Sequence, residues 1–302
     1  MRSFLRKREV KDMAGIHPQE NSYVIDKESA TEMARLIDLD VMITRAMGGH
    51  FPPEIDLSKI HSILDVGCGP GGWATEVAFA HRDKQIVGVD ISHAMLQYAR
   101  EHARIQGLRN VAFRVMDATE KLDFPDESFD MVNARFMVSF MWKGAWTQFI
   151  QECKRITRPG GIIRLTDTDV PGVGSTNSAA LDKLSVIMTR VYFITGRSFC
   201  QDEFGNHFGL TPMLSGFLKE AGYTNIRETP FMLNYSVGKP GYLGNTRNLE
   251  IAFLLLQQFL SKPGIATKEE IEQLNQQIQI DMRNKDFRGI WPFMSVIAQK
   301  PT

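Results

Sequence analysis

Cysteine is scarce in this chain. Cys68, Cys153 and Cys200 are the only three in 302 residues. Their odd number and wide spacing argue against a disulfide framework and a zinc site, and fit a reducing, cytoplasmic compartment. Excess charge is missing too, since 35 basic residues balance 35 acidic ones. Without a global basic field there is no electrostatic footprint for nucleic acid. Long apolar runs are absent: "IAFLLLQQFL" near the C-terminus is far too short to span a bilayer. The basic N-terminus (Arg2, Arg6, Lys7, Arg8, Lys11) is interrupted by Glu9 and Asp12, and no apolar stretch follows it. Residues 1–20 are therefore expected to be a disordered, solvated tail and not a secretion signal. No internal repeat or low-complexity segment occurs.

What is present is alternation. Met33, Leu36, Ile37, Val41 and Ile43 recur at helical spacing between Asp26 and Met47. Two prolines in "HFPPEIDLSK" end that pattern. Short apolar runs then follow one another: "SILDVG", "QIVGVDI", "VAFRVMDA", "FDMVNARF" and "GIIRLTDTD". Amphipathic helices are expected between them, near 72–81, 93–106 and 144–157. Such alternation implies an α/β fold, a parallel sheet with helices on both faces. "RITRPGG" carries the proline and glycines that stop the last of these helices. Further on, helices are expected over 176–195 and 211–221, and two more within 246–285. "NIRETPFMLNYSV" and "WPFMSVIAQK" read as strands. The roughly fifty residues between them far exceed a hairpin loop and imply a helical addition.

The segment "ILDVGCGPGG" joins the first apolar run to a helix, and Gly67, Gly69 and Gly72 satisfy the spacing G-x-G-x-x-G. Glycines at the carboxyl end of a parallel strand let backbone approach a ligand closely. A dinucleotide would bring its pyrophosphate to this turn. Asp65, two residues before the first glycine, would repel it by roughly 1 kcal/mol or more. The same acid suits a ligand that is cationic there and has no phosphate, as S-adenosylmethionine is. Asp90 ends the second strand, 25 residues after Asp65, where a carboxylate can accept both ribose hydroxyls. Asp117 ends the third and can bond an adenine amino group, with Ile91 and Met95 against the adenine faces. One such acid is commonly a helix cap. Three at successive strand ends, beside a glycine loop, point to a ligand.

These motifs, with "VMDATEKLDFPDESFDMVNARF" and "RITRPGG", resemble those of the class I S-adenosylmethionine-dependent methyltransferases over about residues 60–170. The flanks "SYVIDKESATEMARL", "NARF" and "GKPGYLG" resemble a narrower group from fungal and bacterial secondary metabolism, which includes the fungal global regulator of secondary metabolism. The resemblance implies a Rossmann-like seven-strand sheet, mostly parallel, its last strand antiparallel. A helical cap is expected over 21–58, ahead of a methyltransferase domain running from 59 to 302 that carries further caps at about 171–210 and 236–287. The implied cofactor pocket comprises Asp65, Gly67, Cys68, Gly69, Asp90, Ile91, Asp117, Ala118 and Asn133. The N-terminal helix is expected to bring Tyr23 and Arg35 to the methionyl carboxylate. Cys68 is explained by small size and is not a proposed nucleophile.

Methyl transfer depends largely on positioning, and a hydroxyl or carbon acceptor usually needs a base. Histidine as a residue type titrates in the right range, which makes His207 the first candidate, with Tyr192, Asp167 and Asp169 as alternatives. Arg135, Phe136, Trp142, Tyr192 and Arg197 are candidates for the acceptor pocket. No metal is implied. The expected partner is a small-molecule acceptor, with S-adenosylhomocysteine as the other product and a monomer or homodimer as the working unit. Competing readings are a nucleic-acid or protein methyltransferase, and a non-methylating relative that acts as a cyclase or a regulatory binding protein.

Overall fold

The computed structural model describes residues 24–169, 173–202, 207–262 and 264–302. The tail over 1–20 and Tyr23 lie outside the described residues. Helix α1 (Ala30–Ala46) starts where Ser29 Oγ accepts from Glu32 N at 3.3 Å. It stops before Gly48 and Gly49, both at positive φ. Then β1 (Ser62–Val66), α2 (Gly72–Ala80), β2 (Gln85–Asp90), α3 (His93–Ile105), β3 (Val111–Val115), β4 (Phe129–Arg135), α4 (Trp146–Ile156) and β5 (Thr157–Asp167) alternate. Neighbouring members of β3-β2-β1-β4-β5 pair in parallel. Past a two-residue strand β6 (Ser175–Thr176) come α5 (Ala179–Ile194), α6 (Leu214–Glu220), β7 (Thr224–Asn234), α7 (Tyr242–Ser261), α8 (Lys268–Met282) and β8 (Gly289–Gln299). Strand β8 runs antiparallel to both β5 and β7.

The sheet is the mostly parallel one expected, with helices around it and one strand more than expected, because β6 adds a short pairing to the start of β8. The helix expected over 211–221 is a 3₁₀ turn (Thr211–Met213) leading into α6. Strand β5 begins at Thr157, directly after α4, and its pairing with β4 shifts register between Phe129 and Met131.

Strands β1, β2, β4 and β5 each feed two apolar layers, as period-two alternation requires. Ile63 packs with Trp73, Val77, Leu96 and Phe113 on one face. Leu64 and Val66 pack with Trp146, Phe149, Leu214 and Leu218 on the other. A third apolar cluster joins α1, α5, α7, α8 and β8 through Leu39, Ile43, Leu184, Phe253, Ile278 and Trp291. That cluster lies beside the carboxyl ends of the strands. Chain order reverses at β1, whose neighbours are β2 and β4. A crevice at such a reversal is where open α/β sheets bind ligands.

Candidate active site

The crevice is a cleft of about 990 Å³ counted out to open solvent. It brings together Asp65, Gly67, Cys68, Gly69, Asp90, Ile91, Met95, Asp117 and Ala118. Helix α1 and its lead-in add Lys27, Leu36, Leu39 and Asp40. Trp73, Arg135, Phe136, Ser139 and Phe140 complete the wall.

The glycine loop is held by geometry that side chains would spoil. Gly71 has φ +75, and a Cβ there would lie 2.8 Å from Ala99 Cβ and from the Phe113 ring. A Cβ on Gly72 would lie 2.5 Å from Asp40 Oδ2. The loop is also tied to the acid that ends β2. Asp90 Oδ2 accepts from Gly69 N at 2.8 Å and Oδ1 accepts from Ser92 N at 2.9 Å. Burial raises the Asp90 carboxyl above its ordinary value. Ser92 Oγ accepts from Met95 N and donates to Lys27 O, so one residue caps α3 and anchors the lead-in to α1. Asp117 Oδ1 accepts from Thr119 N and Oγ1.

Asp65 is 3% exposed and accepts from Asn133 Nδ2 at 2.6 Å. Asn133 Oδ1 in turn accepts from Arg164 Nε at 2.8 Å. Burial pushes the Asp65 carboxyl up to about 6, against the pull of the Arg135 charge and the Asn133 bond. Burial, then the neighbouring Arg135 charge, lowers the Arg164 guanidinium to about 9. Arg135 pairs with Asp40 at 2.5 Å across 95 residues of sequence. Among the described residues, three buried donors at this end have no hydrogen-bond partner: Trp73 Nε1, Arg135 Nε and Arg164 Nη2. Unpaired buried donors are uncommon and costly, and a ligand that accepts from them removes the cost.

A second cavity of about 750 Å³ adjoins the first. The two share Leu36, Leu39, Phe136 and Ser139. Its other lining is mostly apolar, from α5, α7 and β8, and includes Met188, Leu249, Phe253 and Trp291. Tyr192 lines it with its ring stacked 4.5 Å from that of Phe208. Arg35, Asn248 and Thr168 are its other principal polar groups.

A methyltransferase-domain family profile matches residues 63–161. A demethylmenaquinone methyltransferase from Geobacillus kaustophilus is 25% identical over 194 residues, 63% of this chain and 82% of that protein. The methyltransferase pytC from Aspergillus terreus is 23% identical over 248 residues, 80% of this chain and 72% of that protein. Several other curated relatives align over less than half of their own length, 42–46%. A crystal structure of a putative methyltransferase from Bacillus halodurans has the same fold, with TM-score 0.52 and 19% identity over 88% of this chain and 99% of that one. Residues 63–161 carry a methyltransferase domain, and the chain is an S-adenosylmethionine-dependent methyltransferase.

The methyltransferase corrects several sequence expectations. Arg35 does not line the cofactor cleft. It makes a two-pronged ion pair with Glu32 (2.7 and 2.6 Å), donates to Asn248 Oδ1 at 2.7 Å, and faces the apolar cavity. Asn133 is fully buried and does not line the cleft, but it holds Asp65 from behind. Trp142 is 38% exposed and lines neither cavity, since its ring folds over Gly144, where only a hydrogen fits. Arg197 is half-buried with its guanidinium 5.6 Å from the Phe259 ring and also lines neither. Arg135, Phe136 and Tyr192 do line the cavities.

The base candidates fare differently. His207 lies on an exposed loop, with Nδ1 3.0 Å from Cys200 Sγ and 3.6 Å from Asp169 Oδ2, and lines neither cavity. Asp169 Oδ1 is committed to Leu210 N and Thr211 N. Asp167, pushed up to about 7 by burial, accepts from Val138 N and Thr168 N beneath the cavity wall. Burial raises the Tyr192 hydroxyl to about 12, so at neutral pH it donates hydrogen bonds and does not take protons. His207→Ala is accordingly expected to leave both cofactor affinity and turnover close to wild type. Calorimetry and an initial-rate assay check this, and a hundredfold fall in kcat would restore the histidine as base.

Sequence reasoning missed Lys27, Asp40, Trp73 and Arg164. A signal existed for Arg164, an arginine in the middle of the otherwise uncharged strand stretch "GIIRLT". Among the described residues no group of three or more His, Cys, Asp or Glu side chains could hold a metal, and no helix is long and apolar enough to cross a membrane.

Proposed function

We propose that this methyltransferase transfers a methyl group from S-adenosylmethionine to a small, largely apolar acceptor held in the adjoining cavity. The observation that carries this is the meeting of two cavities, one acidic and glycine-lined, the other apolar, at Leu36, Leu39, Phe136 and Ser139. Bound in the cleft, S-adenosylmethionine supplies an electrophilic methyl group on a sulfonium. Asp90 is suited to the ribose hydroxyls, and Asp117, Ile91 and Met95 to the adenine. The amino-acid end is a zwitterion, and the Asp40–Arg135 pair beside Asp65 offers both signs of charge to it. Arg135 takes the carboxylate role first considered for Arg35. The likeness to pytC and the flanking motifs support an acceptor from secondary metabolism.

The acceptor's proton leaves without a protein base in this reading. Among the described residues that line the apolar cavity, Arg35 and Tyr192 are the titratable ones, and neither takes a proton near neutral pH. Suitable acceptors are an acidic hydroxyl, a carboxylate or an amine.

Incubation with S-adenosylmethionine and a metabolite extract should yield S-adenosylhomocysteine and a metabolite heavier by one CH₂. Product formed only with RNA, DNA or protein would reject the small-molecule reading. Cofactor binding with no turnover on any acceptor would favour a cyclase or regulatory role.

A pH dependence follows from Asp65. Its ionised form attracts the ligand's ammonium, and the unliganded carboxyl titrates near 6. Affinity should be constant well above that value and should fall below it, by up to about tenfold per pH unit. Asp90, raised in the same direction by burial, adds to the fall. Asp65→Asn should bind more weakly at neutral pH and flatten the dependence. Titration calorimetry with S-adenosylhomocysteine checks both, and a steep fall that persists in Asp65→Asn assigns the titration elsewhere.

A further inference from the structure

Phe136 follows directly on β4 and has φ +59 and ψ 32, the left-handed region. Among the described residues only Glu127 and Asn225 share positive φ without being glycine. For a bulky side chain this conformation costs about 1–2 kcal/mol. The surroundings hold it there: Phe136 N donates to Thr166 O at 2.9 Å, and Phe136 O accepts from Ser139 N at 3.1 Å and Ser139 Oγ at 2.7 Å. A glycine would make the same turn without strain. An aromatic residue kept in a glycine conformation points to a use for the ring itself.

The ring stands where that use can be read. Phe136 lines both cavities, while Arg135 before it lines only the cofactor cleft, held by Asp40. The ring is braced edge-to-face on Phe293 at 5.9 Å and tilted on Trp291 at 6.3 Å. Leu36 and Leu39 of α1 and Ser139 complete the boundary. A side chain packed by two aromatic rings and fixed by a strained backbone cannot swing aside cheaply.

We propose that the Phe136 ring is the partition between donor and acceptor, and so determines which acceptors come within reach of the methyl group. The inference rests on the two-cavity reading above. A wide or branched acceptor stops at the ring, whereas a slender group passes beside it.

The test uses the full chain and two probes, S-adenosylhomocysteine for the cleft and the neutral fluorophore N-phenyl-1-naphthylamine for the apolar cavity. In wild type both bind, and saturating S-adenosylhomocysteine leaves the fluorophore's apparent Kd nearly unchanged. Phe136→Gly removes the ring and also the backbone strain, and that relief offsets part of the packing lost. In that variant the cavities merge, and S-adenosylhomocysteine should raise the fluorophore's Kd by roughly tenfold or more, as for ligands sharing one space. Phe136→Leu keeps a bulky side chain and should restore independence. A purely structural role would shift the thermal midpoint without creating competition between probes. Independent binding in Phe136→Gly overturns the partition while leaving the two cavities standing. Wild type that binds S-adenosylhomocysteine but not the fluorophore removes the acceptor cavity, and the partition with it.

Discussion

Asp90→Ala is expected to weaken S-adenosylmethionine binding by about two orders of magnitude while the fold survives. Two effects add. The substitution removes the acceptor suited to the ribose hydroxyls, and a charge-assisted pair of hydrogen bonds contributes roughly 2–4 kcal/mol. It also leaves Gly69 N and Ser92 N without the oxygens that now receive them at 2.8 and 2.9 Å. The glycine loop then loses its tie to β2 and must be ordered by the ligand itself, which lowers affinity further. Asp90→Asn keeps the shape and one oxygen, so it should fall between the two. Calorimetry on samples with matched circular dichroism decides it. Unchanged affinity in Asp90→Ala would remove β2 from the cofactor site.

The acids at the strand ends were readable because each lies within a local pattern. Asp65, Asp90 and Asp117 each close an apolar run just before a turn, and parallel strands carry such positions to one edge of the sheet. What the sequence hid is long-range. Asp40 meets Arg135 across 95 residues, and Asp65 is steadied through Asn133 by Arg164, 31 residues further on. Neither pairing leaves a spacing signature. The apolar cavity is likewise assembled from α1, α5, α7 and β8, whose apolar residues read only as ordinary helix and strand faces. His207 was attractive because histidine titrates near neutrality, but that property says nothing of which way its loop faces. The Glu32–Arg35 pair was the readable exception. An acid and an arginine three apart on one helix are neighbours by geometry alone, which favours their pairing with each other.

That distinction between the two arginines leads to the second large effect. Arg135→Met should weaken S-adenosylmethionine binding by roughly thirty- to a thousandfold, about 2–4 kcal/mol, because it deletes the cation facing the amino-acid end and strands Asp40 beside Asp65. Two acids left without their cation repel each other, and at neutral pH the cleft becomes attractive to the ligand's ammonium but hostile to its carboxylate. Arg35→Met should act differently. It removes the two-pronged ion pair from Glu32, which is fully buried, and breaking a buried pair from one side costs about 3–5 kcal/mol of fold stability. Since α1 also carries Asp40 and Leu36 to the cleft, loss of α1 would weaken cofactor binding indirectly. The double variant Glu32→Leu with Arg35→Met separates the causes, because replacing a buried ion pair by apolar residues is often neutral or stabilising. It should fold, keep the Asp40–Arg135 pair, and bind S-adenosylmethionine within about threefold of wild type, since no cofactor contact is removed. If the double variant instead loses affinity as Arg135→Met does, Arg35 is a cofactor ligand after all and Arg135 serves only to hold α1.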